Sequence, residues 1–179
     1  HQSRIRWFMI PISLIPDRDV VINNSGSSIT HTLVYDTNFS YTGPSIVGTS
    51  TGDDDFTVDD NWIIVDDSNA AGGDPLLTHV IAGDSALRPS STSTTVPAND
   101  EILYEFEISL SPGESKIIMQ FGQQSHDQAA ALVAADRLAG LNDLALLAGI
   151  SNEQRALVQN FDVPIAMDRY NIEVLTDTV

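Results

Sequence analysis

Residues 101–110 read "EILYEFEISL", and their alternation decides the fold class. Ile102, Tyr104, Phe106 and Ile108 fall on one side, and Leu103, Glu105, Glu107 and Ser109 on the other. Side chains of a strand point to opposite faces in turn, so this run is a strand with one packed face and one largely wet face. That is the pattern of an antiparallel sheet solvated on one side. Working outward, comparable short runs recur: "SIVGTS" from Ser45, "FTV" from Phe56, "NWIIV" from Asn61, "LLTHVIAG" from Leu76 and "SKIIMQFG" from Ser115. Residues 29–39 alternate less cleanly. Turn-forming clusters such as Tyr41-Thr42-Gly43-Pro44 and Ser111-Pro112-Gly113-Glu114 separate the runs. Many short strands at this spacing predict a mainly β chain, folded as an antiparallel β-sandwich.

After Gly122 the period changes. Ser125 and Gln128 have the spacing of a capping box ahead of "AAALVAADRLAG", with Gly140 as the stop signal. A second box, Ser151 with Gln154, opens another helical run that ends before Pro164. The expectation is two or three short helices within about residues 125–161, covering one edge or face of the sheets. The chain thus divides into an N-terminal apolar arm or edge strand (1–16), a sandwich domain (17–162) and a C-terminal strand or tail (163–179). Ser90 to Asp100, "SSTSTTVPAND", reads as a flexible surface loop. In residues 4–15, "RIRWFMIPISLI", Pro11 lacks a ladder donor, which points to an edge strand or two short strands.

Charge narrows the function classes. The 179 residues carry a formal net charge of -17, with nineteen Asp, six Glu and a single lysine, Lys116. Residues 19–87 contain neither Lys nor Arg. Nucleic acid is therefore not the expected partner, because phosphate contacts need clustered cations, and an anionic membrane surface is disfavoured for the same reason. No apolar run is long enough for a membrane span. Cysteine is absent, which removes disulfides and thiolate metal sites. A start at His1 rather than Met is expected from signal-peptide cleavage, which places the protein outside the cell.

Thr51 to Asp67, "TGDDDFTVDDNWIIVDD", holds seven aspartates in the fifteen positions from Asp53. Solvated acidic loops are one reading and calcium the other. Calcium takes about 6–8 oxygen ligands from carboxylates and loop carbonyls. Asp66, Asp67 and Asp74 bracket the Gly-rich turn after Trp62 and are the candidate ligands, although no EF-hand pattern is present. His31 and His79 lie on predicted strands, and His79 sits in an apolar one, where a hydrogen-bonded structural histidine is the expected role. Glu105 and Glu107 share the wet face. No nucleophile elbow, zinc-protease helix or phosphate loop occurs. No catalytic residues are assigned, and the chain is expected not to be an enzyme.

Taken in order, Thr51-Gly52-Asp53, Asp60-Asn61-Trp62, Val65-Asp66-Asp67, Gly72-Gly73-Asp74-Pro75 and His79-Val80 resemble a largely uncharacterised module recurring in large secreted bacterial proteins. The likeness continues through Pro112-Gly113-Glu114, Phe121, Gln123, the alanine-rich helix, Gly149-Ile150-Ser151 and Asn160-Phe161. This chain has Asn61 where the module usually has Arg. The resemblance implies a secreted β-rich module and transfers no activity.

The expected function is a non-enzymatic extracellular structural or adhesive module, a surface-filament subunit assembled through its N-terminal strand. The partner would be another copy or a neighbouring module. Arg4, Ile5, Arg6, Trp7, Met9 and Ile12 are the assembly residues, with the acidic body orienting the basic arm. The alternative is a carbohydrate- or calcium-binding accessory module of a larger secreted protein.

Overall fold

The computed structural model describes residues 17–38, 44–66, 75–84, 86–94, 96, 101–141 and 143–165, together with the backbone of residues 2–8 and of Asp67. Nine strands are described: β1 (Gln2–Phe8), β2 (Asp17–Ile22), β3 (Ile29–Asn38), β4 (Pro44–Thr49), β5 (Trp62–Asp67), β6 (Leu76–Val80), β7 (Ser91–Thr94), β8 (Glu101–Leu110) and β9 (Ser115–Ser125). They form a four-stranded sheet in the order β1-β3-β8-β7 and a five-stranded sheet in the order β2-β9-β6-β5-β4. All pairs are antiparallel except β1 with β3, which is parallel. The chain is a mainly β sandwich.

The alternation of β8 sets the packing. Ile102, Tyr104, Phe106, Ile108 and Leu110 turn inward and meet Leu33 and Tyr35 of β3, then Ile63 and Val65 of β5, Leu77 of β6 and Ile118 of β9 from the other sheet. Each fully buried Leu, Ile or Phe here contributes about 1.5–3 kcal/mol. The inner strands β5 and β6 of the five-stranded sheet are buried on both faces. Trp62, Ile64, Leu76, Val80, Met119 and Phe121 point the other way, against a helical layer that includes Ala131, Ala135, Leu138, Leu146 and Leu147. This explains why "NWIIV" and "LLTHVIAG" carry consecutive apolar residues rather than an alternation.

The helical layer is α1 (Gln128–Ala139), a 3₁₀ turn (Leu144–Leu147) and α2 (Asn152–Arg155). The cap of α1 is Asp127, whose side chain accepts from the Ala130 amide, and not Ser125. Ser125 is held as the last residue of β9, opposite Leu76. Gly140 ends the helix at an ordinary φ of -77°, and the left-handed residue is Leu141, at φ 44°. Burial of the Leu141 side chain in the helical layer offsets the strain of that conformation. The Ser151–Gln154 capping box forms as expected, but α2 is a single turn.

Two strand expectations fail in instructive ways. "FTV" is not a strand: Thr57 and Asp60 close a turn there, with the Asp60 amide donating to the Thr57 carbonyl at 3.1 Å. Conversely, Ser91 to Thr94, expected as loop, forms edge strand β7 against β8. A hydroxyl-rich segment can take an edge because its backbone satisfies one ladder while its short side chains stay wet. The tail from residue 166 and Pro11 lie outside the described residues.

After β6 ends, the chain segment around Asn160 continues the sheet along β9. Ile117 exchanges backbone bonds with Leu157 and Gln159 at 2.9 and 3.0 Å. The Asn160 side chain acts as a further peptide group, accepting from the Met119 amide at 2.9 Å and donating to the Met119 and Ile81 carbonyls at 2.6 Å each. Its own carbonyl accepts from Gly83. A side chain at Gly83 would be crowded, since a Cβ would stand 3.1 Å from the Ala139 carbonyl oxygen.

Candidate functional site

The acidic stretch spans the turn between β4 and β5, and its carboxylates do several different things. Asp60 is fully buried and accepts five hydrogen bonds. One oxygen takes the Thr51 amide and hydroxyl, both at 2.9 Å, and the Ser50 hydroxyl at 3.2 Å. The other takes the Thr57 amide at 2.9 Å and its hydroxyl at 3.2 Å. A buried carboxylate satisfied to this degree organises its loop. Asp53 is exposed and closes the turn through the hydroxyls of Thr49 and Thr51 and the Asp55 amide. The Asp55 amide, first among these donors, lowers the Asp53 pKa. Two side-chain hydrogen bonds help tie the loop to the segment after β6: Asn61 donates to Asp84, and Arg88 donates to the Asp59 carbonyl at 2.6 Å.

Asp66 is half-buried on β5, in register with Ser45, and Asp67 follows it opposite Pro44. The Asp67 side chain and all of Asp74 lie outside the described residues. Among the described residues no three His, Asp or Glu side chains converge as a metal-ligand set.

The N-terminal arm is seated within its own chain. β1 runs beside β3 through seven consecutive pairs, with Arg4 opposite Val34, Ile5 opposite Tyr35, Arg6 opposite Asp36 and Trp7 opposite Thr37. Met9 and Ile12 lie outside the described residues. Val34 and Asp36 are almost wholly buried although they belong to the outer face of β3. Glu105 and Glu107, in contrast, take the wetter face of β8, as their alternation predicts.

Between the sheets lies a polar cluster that the sequence reading does not assemble. His79 of β6 shares a 2.8 Å hydrogen bond with the Tyr104 hydroxyl of β8, which in turn donates to Gln120 of β9. His79 thus has the structural role expected of it, with a partner in the opposite sheet rather than in a loop. Burial, opposed by Gln120, lowers its pKa to about 4, so the ring is neutral at physiological pH. Tyr35 stacks on Tyr104 with ring centroids 5.1 Å apart. Its hydroxyl lies against Asp19 and Gln120, and burial, reinforced by Asp19, pushes its pKa far up. Asp17 and Asp19 complete the cluster from β2. Their signal was in the sequence: "DRDVVI" alternates so that Asp17, Asp19 and Val21 share one strand face, and Val21 packs on the inter-sheet core.

No protein-family model, curated protein or solved structure matches the chain. Among the described residues no helix is long and apolar enough to cross a membrane.

Proposed function

We propose that the protein is a non-enzymatic extracellular structural or adhesive module that joins to further copies, or to adjacent modules, through its N-terminal strand. The observation that carries this reading is the isolation of β1. Among the described residues it pairs with β3 alone, at the edge of its sheet and parallel to its neighbour, and the next strand, β2, belongs to the other sheet. Among the described residues, withdrawing β1 breaks no other ladder. The same seven pairs can form with a β1 supplied by a neighbour, so exchange conserves the contacts and is driven by concentration. A head-to-tail exchange of this kind need not close, and it then builds a filament.

Composition supports the direction of the contact. The arm brings two of the eight cations, Arg4 and Arg6, to a body with a large acidic excess, and Arg6 falls opposite the buried Asp36. Charge of this sign steers encounter and fixes register more than it adds affinity. Deleting residues 1–15 tests the proposal by light scattering and sedimentation. Assembly should be lost while a soluble, partly destabilised domain remains. If the shortened chain still polymerises, the arm is not the linker.

A further inference from the structure

The cluster between β2 and the facing sheet contains more polar atoms than it has partners. Among the described residues, Asp19 Oδ2, Tyr35 Oη, Thr37 Oγ1, His79 Nδ1 and Gln120 Nε2 are buried without a hydrogen bond. Tyr35 and Thr37 are fully enclosed, and Gln120 is 4% exposed. Buried polar atoms left unpaired cost about 1–3 kcal/mol each, so the arrangement is tuned to something other than maximal stability at neutral pH. The orphaned set mixes two acceptors, a donor and two hydroxyls. A bare cation could not satisfy the Gln120 amide, whereas a proton on the Asp19 carboxyl removes its charge and gives it a donor of its own.

The charges around this point are unbalanced. Asp17 and Asp19 face the cluster from the same strand. Arg18, between them, reaches the other way, donating to the Gly149 carbonyl and Gln154 Oε1 at 3.3 Å each. Among the described residues, the groups facing the pair from elsewhere are Tyr35 of β3 and Tyr104 of β8, with Gln120 of β9 beside Tyr35, all neutral at physiological pH.

We propose that Asp17 and Asp19 form a proton-operated latch that closes the β2 edge strand onto the sandwich as the surroundings acidify. The proton comes from bulk water and binds an Asp19 carboxylate oxygen. The resulting O–H donates within the Tyr35–Gln120 cluster, and one of two like charges on the strand face is removed. Burial raises the pKa of both carboxyls, with neighbouring Asp17 adding to the effect at Asp19 and the Arg18 contacts tempering it at Asp17. A raised carboxyl pKa means that the contribution is fully present below the ordinary value of 3.8 and is lost as pH rises through the folded-state value. His79 works in the opposite sense, because its lowered pKa makes acid unfavourable to the fold. A local readout is therefore required.

Carboxyl carbon-13 shifts in the intact chain, with amide hydrogen exchange along β2 and β9 corrected for intrinsic rates, supply that readout. Asp19 should titrate above 3.8, and protection at the β2–β9 seam should rise in the same pH window. Asp19→Asn should hold the seam at its acid-state protection at neutral pH and abolish the change, whereas Asp54→Asn, on the exposed loop, should leave it intact. Tyr35→Phe removes the neighbouring hydroxyl, which lowers the Asp19 pKa, so Asp19 should titrate higher still. Titration of Asp19 at or below 3.8, or an Asp19→Asn chain that keeps the full protection change, would overturn the latch. If Asp19→Asn does not fold, an unchanged Asp19 titration in Tyr35→Phe overturns it instead.

Discussion

Replacing Asn160 with alanine removes the single side chain that carries β9 past the end of β6. The side chain makes three buried hydrogen bonds: one accepted from the Met119 amide and two donated, to the carbonyls of Met119 and Ile81. Truncation leaves those three backbone groups in a place where the residue itself is fully buried. An orphaned buried group costs about 1–3 kcal/mol. Relaxation returns part of this, which leaves an expected loss of about 3–5 kcal/mol. A domain of this kind is stable by only about 5–15 kcal/mol, so the variant should stand near the limit of folding at 37 °C. Urea titration followed by tryptophan fluorescence measures it through Trp62, which is buried beneath the helical layer. The midpoint should fall sharply with the slope unchanged. Asn160→Asp should be nearly as damaging, because a carboxylate cannot donate to the two carbonyls. A loss below about 1 kcal/mol in Asn160→Ala would refute the reasoning, since it would mean that the three groups find other partners.

Other consequences can be measured on the same footing. Asp60→Ala should cost about 2–4 kcal/mol and loosen the loop between β4 and β5, seen as faster exchange of the Thr51 and Thr57 amides, because five donors lose their acceptor. The lowered pKa of His79 makes the unfolded chain take up a proton before the folded one as pH falls from 6.5 to about 4. This gap costs the fold about 3 kcal/mol at its lower end, and a His79→Gln chain should lack that part of the acid sensitivity in paired denaturation curves. If Asp66, Asp67 and Asp74 hold calcium, chelation should lower the melting temperature, and the drop should vanish when Asp66 is changed to Asn. Unchanged melting in excess chelator would leave these carboxylates as a solvated face.

The sandwich was legible because its strands announce themselves by period. β8 alternates without fault, and the unalternating apolar run Trp62 to Val65 of β5 marks a strand covered on both sides. What the sequence hides is hydrogen bonding across long separations. Asp60 looks like one more member of an acidic run, yet it is buried, while Asp53 to Asp55 are exposed; only the closing of the loop around it tells them apart. Asn160 in "QNFDV" reads as a helix-end residue, and its role depends on β6 stopping short at Val80, which no local pattern records. The Asp17–Asp19 face was present in the alternation of "DRDVVI", but Tyr35, Tyr104 and Gln120 come from three other strands, and strand order is not written in periodicity. Edge strand β7 was missed because hydroxyl-rich composition is shared by loops and wet edges.

A disulfide across the β1–β3 pairing separates exchange of β1 between modules from pairing within one module. Gln2 and Thr32 are in register, and the chain has no native cysteine to compete. Paired residues in adjacent strands lie within the distance a disulfide spans. Gln2→Cys with Thr32→Cys, oxidised under assembling conditions and run on a denaturing, non-reducing gel, should give a ladder of covalent oligomers that collapses on reduction. A single band at the mass of one chain, with the disulfide formed internally and filaments still present, would contradict exchange and confine β1 to its own module.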